Sequence, residues 1–139
     1  MHDRLGDLHL DRVTGSFTGT VHWKTGRLEV IFPAEGDHPQ PDALRAEEAW
    51  MRQAEAKLES CKRFAAEKLL ELKNESWREE GDKVCTEEDF TGLLTPESLH
   101  LYPDDTFVLE FDDGDLFWGH SVSVEGTTDG RLLAADLAG

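Results

Sequence analysis

The sequence predicts an α+β fold. It expects an antiparallel sheet of about six strands, built as two three-stranded meanders, with one long and one short helix packed on one face in the order βββααβββ. Residues 5–32 and 98–125 alternate apolar and polar side chains with period two, broken by Thr-Gly, Pro-Asp-Asp and Asp-Gly turn signals. Residues 42–77 repeat their apolar positions at helical spacing instead. Each block has one apolar side, so strands and helix can cover one another in two layers.

In the first block, two-residue loops at Thr14-Gly15 and Thr25-Gly26 set Leu8 against Val21 and Leu10 against Gly19. They set Trp23 against Leu28, Val21 against Val30 and Gly19 against Phe32. Both turns gather the same apolar set on one side and leave Asp7, His9, Thr18, Thr20, His22 and Glu29 on the other. The stretch PAEGDHPQPD reads as a loop, and Pro41-Asp42 can open a helix.

On the long helix, Leu44, Met51, Ala54, Leu58, Cys61, Ala65, Leu69 and Leu72 form one stripe, flanked by Trp50, Phe64 and Trp77. Its length, about 36 residues, exceeds the usual globular helix and leaves room for a bend or a break. Gly81 is the stop signal, and Thr86 with Asp89 makes a capping box for a short helix carrying Phe90, Leu93 and Leu94. In the last block, a two-residue Asp113-Gly114 turn pairs Phe111 with Leu116, Leu109 with Trp118 and Phe107 with His120. That register points Trp118 inward and leaves Asp112 and Asp115 flanking the turn on the outer face. TTDGRLLAADLAG closes the chain as a further short element or a docked tail.

The 139 residues fit a single domain, 1–139, and the 38% apolar and 32% charged composition is that of a globular chain. Fourteen Lys and Arg stand against 30 Asp and Glu, a formal charge of −16. Such a field repels phosphate backbones and anionic membrane surfaces, so nucleic acid and membrane are not the expected partners. A basic protein is, because its encounter would be accelerated. No apolar run approaches the roughly 20 residues of a membrane helix, and no export signal opens the sequence. The expected setting is the cytoplasm, with Cys61 and Cys85 reduced.

Several residues invite a chemical reading. His120 on an apolar strand face could be a ligand or an acid-base group. His9 and His22 with Glu29, beside Asp7, offer nitrogen and oxygen donors for a metal such as Zn²⁺. His100, Glu110 and Asp112 make a similar outer row, which a solvated face also explains. Asp112, Asp113, Asp115, Trp118 and His120, around the Asp-Gly turn, are the candidate binding residues. No fixed-spacing metal motif, phosphate loop or nucleophile elbow occurs, no cofactor is called for, and no catalytic residue is assigned. Cys61 reads as a small core residue, and Trp77 as a lid over the core edge.

The stretches LGDLHLDRVTGSFTGTVHW, AAEKLLELKNESW, TEEDFTGLLTPESLHLYPDDTFVLEFDDGDLFWGHSVSVEG and AADLAG resemble, in order and over nearly the whole chain, the uncharacterised bacterial family called domain of unknown function 2262. DDGDLFWGH is the most distinctive piece. The resemblance implies a bacterial cytoplasmic single domain and carries over no activity and no site residue.

The reading that composition favours is a non-enzymatic acidic binding protein, in its most concrete form an immunity protein neutralising a basic toxin. Its rivals are a metal-binding or hydrolytic domain using His120 or the His9/His22 group, and a regulatory or scaffold module read through the open sheet face.

Overall fold

The computed structural model describes residues 8–23, 26–78, 81 and 83–138. Expectations for Leu5, Asp7 and Thr25 lie outside these residues, as do the side chains of His22 and Trp23. The strands are β1 (His9–Asp11), β2 (Ser16–Trp23), β3 (Gly26–Glu35), β4 (His38–Pro39), β5 (Thr95–Leu101), β6 (Thr106–Asp112), β7 (Ser121–Thr127) and β8 (Leu132–Ala138). Between β4 and β5 lie α1 (Pro41–Met51), α2 (Ala54–Ser76) and α3 (Glu87–Leu93).

The fold is α+β as expected, but the sheet is larger and is mixed rather than purely antiparallel. The strands follow the order β1-β2-β3-β5-β6-β7-β8, with the short β4 paired to β3. Both meanders belong to this one sheet. They meet where β3 and β5 run parallel, Glu29–Ile31 beside Ser98–His100. The helices make this possible, because a parallel neighbour requires a crossover connection and α1 to α3 supply it. Of the two expectations for the tail, the further short element is the one observed: the edge strand β8.

Alternation correctly separates the two faces. Phe17, Val21, Leu28, Val30, Phe32, Leu99, Leu101, Phe107, Leu109, Phe111, Val122 and Val124 are all buried on the helix side. The registers differ from expectation. β1 and β2 pair Leu10 with Phe17, across a wider turn than Thr14-Gly15 alone. β2 and β3 pair Val21 with Leu28 and Trp23 with Gly26, so their turn precedes Gly26. Each slip is by an even number of residues, which is why Leu10, Val21, Leu28, Val30 and Phe32 kept their expected face.

The expected long helix is two helices. Gln40 caps α1 through its side chain, accepting from the Ala43 N–H at 2.8 Å, and Pro41 occupies the first turn. Arg52 and Gln53 interrupt the helical path before Ala54. A straight helix over the whole span would be about 54 Å long, against roughly 29 Å for the seven strands that lie side by side. The break keeps both segments over the sheet. Ala43, Trp50, Met51, Ala54, Cys61, Ala65 and Leu69 are buried, whereas Leu58 is half-buried and Leu72 exposed. The capping box at Thr86 and Asp89 forms as expected, with Asp89 N–H donating to Thr86 Oγ1 at 3.1 Å and Thr86 N–H to Asp89 Oδ2 at 3.3 Å. Among the described residues no helix is long and apolar enough to cross a membrane.

Two polar groups sit awkwardly under α1. Glu47 is 6% exposed, and its carboxylate has no hydrogen-bond or ion-pair partner among the described residues. Burial, helped by neighbouring Glu48, pushes its carboxyl from 4.5 up to about 7. One turn on, the indole Nε1 of Trp50 is buried without a partner. A carboxyl raised in the folded state stabilises the fold fully below the unfolded value and loses that contribution as pH climbs through the folded one. Glu47→Gln should therefore gain on the native protein between pH 4.5 and about 7, by up to about 3 kcal/mol. Urea unfolding of both proteins at a series of pH values checks this, and a difference that stays flat with pH refutes it.

Candidate functional site

The connection between β6 and β7 is where structure and expectation part most widely. The ladder runs Phe107↔Gly126, Leu109↔Val124, Phe111↔Val122 and Asp112↔Ser121. Asp113 to His120 is consequently a loop, not part of a tight Asp-Gly hairpin. Side-chain size favours this register. A Cβ at Gly126 would lie 2.9 Å from the Phe107 ring and 2.7 Å from the Arg131 carbonyl oxygen, so Phe107 sits opposite a residue with no side chain. The expected register had placed His120 there.

Asp113 organises the loop. It is 1% exposed. Its Oδ1 accepts from the Asp115 N–H at 3.0 Å, and its Oδ2 accepts from Phe117 and Gly119 at 2.8 and 3.1 Å. Its own carbonyl accepts from the Leu116 N–H at 3.0 Å. Backbone amides thus replace the water that a buried carboxylate would otherwise lose.

The two amides bound to Oδ2 flank Trp118, and they hold it where an aromatic residue does not rest by choice. Trp118 has φ +57, beside Gly119 at +93, while Gly114 and Asp115 take +56 and +65 at the loop's start. A bulky side chain in that region costs on the order of 1–2 kcal/mol. The expectation that Trp118 points inward beside Leu109 is overturned, since its side chain is 58% exposed. Phe117 takes the inward position, fully buried, with its ring 6.0 Å from Phe90 and 5.7 Å from Trp77. Sequence reasoning missed Phe117. The available signal was the pair Gly114 and Gly119, which bracket the loop and supply its left-handed turns.

Trp77 does lie over the core edge, and it forms the floor of an aromatic patch. Its ring is 4.8 Å from that of Trp118 and 5.2 Å from that of His120. His120 Nδ1 lies 2.6 Å from the Phe117 carbonyl oxygen, to which it donates. Its expected pairing with Phe107 does not occur.

Acids lie at the start of this loop and on the strand beside it. Asp112, at the end of β6, faces Ser121 rather than Asp115, and Asp115 is exposed within the loop. Glu97 sits at a register shift between Pro96 and Ser98. Its carboxyl is raised by partial burial first, then by Asp112, Glu110 and Asp113. These carboxylates are crowded. Away from the loop the outer face is better arranged. Thr20, Glu29, Ser98, Glu110, Ser123 and Asp136 stand in one row across six strands. Carboxylates alternate with hydroxyls there, which keeps like charges from facing each other. His100 stands beside this row, with Nε2 3.7 Å from Glu110 Oε1.

The register does not bring the other histidines together. His9 faces Thr18, Glu29 faces Thr20, and His22 faces Arg27, not Glu29 as expected. Among the described residues no group of three or more His, Cys, Asp or Glu is placed to hold a metal ion. Cys61 and Cys85 are free thiols. Burial pushes Cys61 up to about 12, and burial with Asp89 raises Cys85.

The fold and site thus define an acidic α+β domain that presents an aromatic loop at one end of its sheet. The family model of an uncharacterised protein conserved in bacteria, DUF2262, matches residues 2–137, and the chain belongs to that family. Neither a curated protein nor a solved structure matches it.

Two substitutions test the loop. Asp113→Ala leaves buried amides without an acceptor and should cost roughly 3 kcal/mol in urea unfolding. Trp118→Gly removes the strain along with one ring contact, and should leave stability within about 1 kcal/mol of the native protein.

Proposed function

We propose that this chain is a non-enzymatic acidic binding protein whose partner is a basic protein, most concretely an immunity protein that covers the basic site of a toxin. The observation that carries this reading is Trp118, a large exposed aromatic on left-handed backbone. Packing alone gives no reason to hold it there, and stored backbone strain of this kind concentrates at functional sites. An exposed indole on a loop that follows Asp112 and carries Asp115 fits a partner's arginine or lysine side chain, which can lie on the ring while pairing with a carboxylate. Trp is also among the residues that dominate interface energies.

The crowding at Glu97 supports the same reading: after burial, the neighbouring Asp112, Glu110 and Asp113 raise its carboxyl, and an arriving cation would relieve that second effect. The net charge of −16 would speed the encounter over a longer range. The proposed setting is the bacterial cytoplasm, where Cys61 and Cys85 stay reduced. A regulatory or scaffold role would instead be read through the open face of the sheet.

The test is capture from the source bacterium's lysate on immobilised native protein and on Trp118→Ala, at about 50 and about 500 mM salt. The expected result is a basic protein that high salt releases and that the variant holds at least about tenfold more weakly. A partner held equally by both proteins at both salt concentrations contradicts the proposal.

A further inference from the structure

Strand β8 closes one side of the sheet. It pairs with β7, and among the described residues no strand lies on its other side. An edge strand offers unpaired N–H and C=O groups to any other strand, and proteins blunt such edges with short length, lysine, proline or a bulge. The opposite edge, β1, is only three residues long. β8 has seven residues, Leu132–Ala138, with neither proline nor lysine and with Asp136 as its one charge. Its blunting feature is a one-residue slip against β7 at Leu133.

The helix side of this edge is apolar and unfinished. Leu132, Ala135 and Leu137 pack against the core but are only partly buried, and Leu133 is 52% exposed. Gln53, Lys57 and Ser60 of α2 flank Leu132 at one end of this margin, and the apolar layer stays open at Leu133.

We propose that β8 pairs antiparallel with β8 of a second copy of this chain, about a two-fold axis at Ala135, continuing the sheet and its apolar layer from one copy into the other. The strand is self-complementary in that register. Over the regular stretch that begins at Ala134, Ala135 meets its own copy and Asp136 meets Ala134, while Leu137 is directed toward the bulge at Leu133. An axis at Asp136 would set two carboxylates face to face. A register displaced by an odd step would join the helix-bearing face of one copy to the polar face of the other. The inference is independent of the Trp118 site, which lies in the β6–β7 loop.

Electrostatics gives this contact a signature of its own. Each copy carries −16, so long-range repulsion opposes pairing and added salt relieves it. Self-association should tighten with ionic strength, whereas capture of a basic partner should weaken.

Sedimentation velocity from about 1 to about 200 µM, at low and high salt, tests the proposal. The native protein should form a reversible dimer that tightens with salt. Ala134 is exposed, so its variants should fold, as circular dichroism can verify. Ala134→Lys would face Asp136 of the second copy and should tighten the dimer roughly two- to tenfold, and Ala134→Asp should weaken it by a similar factor. A monomer under every condition overturns the proposal. So does a dimer that neither substitution affects.

Discussion

The carboxylate of Asp113 is the constraint from which the candidate site follows. It is buried between the end of β6 and the start of β7, and it takes its hydrogen bonds from loop amides. Binding Phe117 and Gly119 through the same oxygen anchors the residues on both sides of Trp118. Phe117 is drawn into the core against Phe90 and Trp77, so α2, α3 and the loop share one packed corner. Trp118 is left outside. A single buried acid thus links the packing of the helices to the exposure of the side chain that the proposed function requires.

That coupling also explains why the loop can store strain. A tryptophan at positive φ would ordinarily relax toward an extended conformation. Here relaxation would strip two buried amides of their acceptor, at a cost larger than the strain. Along the sheet the acids are spaced by hydroxyls, but around Glu97 they are crowded. The outer face is quiet over most of its area and frustrated around Glu97.

Much of the fold was legible in the sequence because alternation survives errors of register. The turns expected at Thr14-Gly15 and Thr25-Gly26 were misplaced, yet Val21, Leu28, Val30 and Phe32 fell on the right face because the slips were even. What pattern could not carry was anything set by a single steric or electrostatic partner. Asp113-Gly114 has the local chemistry of a tight hairpin, and only the fit of Phe107 over Gly126 moves the pairing onward to Val122 and Val124. Nothing local marks Asp113 as buried, since its neighbours Asp112 and Asp115 have the same chemistry and stay in solvent. Glu47 was hidden likewise among the exposed acids of a helix. The parallel junction of β3 and β5 depends on how three helices cross the sheet, which strand periodicity does not encode.

Amide hydrogen exchange measured by NMR tests the central claim most directly, because it reads the loop's hydrogen bonds one residue at a time. If Asp113 holds the loop, the amides of Phe117 and Gly119 exchange slowly, at rates approaching those of β6 residues such as Leu109. Exchange at those two positions as fast as in an open turn such as Gly36 would contradict the account, because nothing would then hold Trp118 in place.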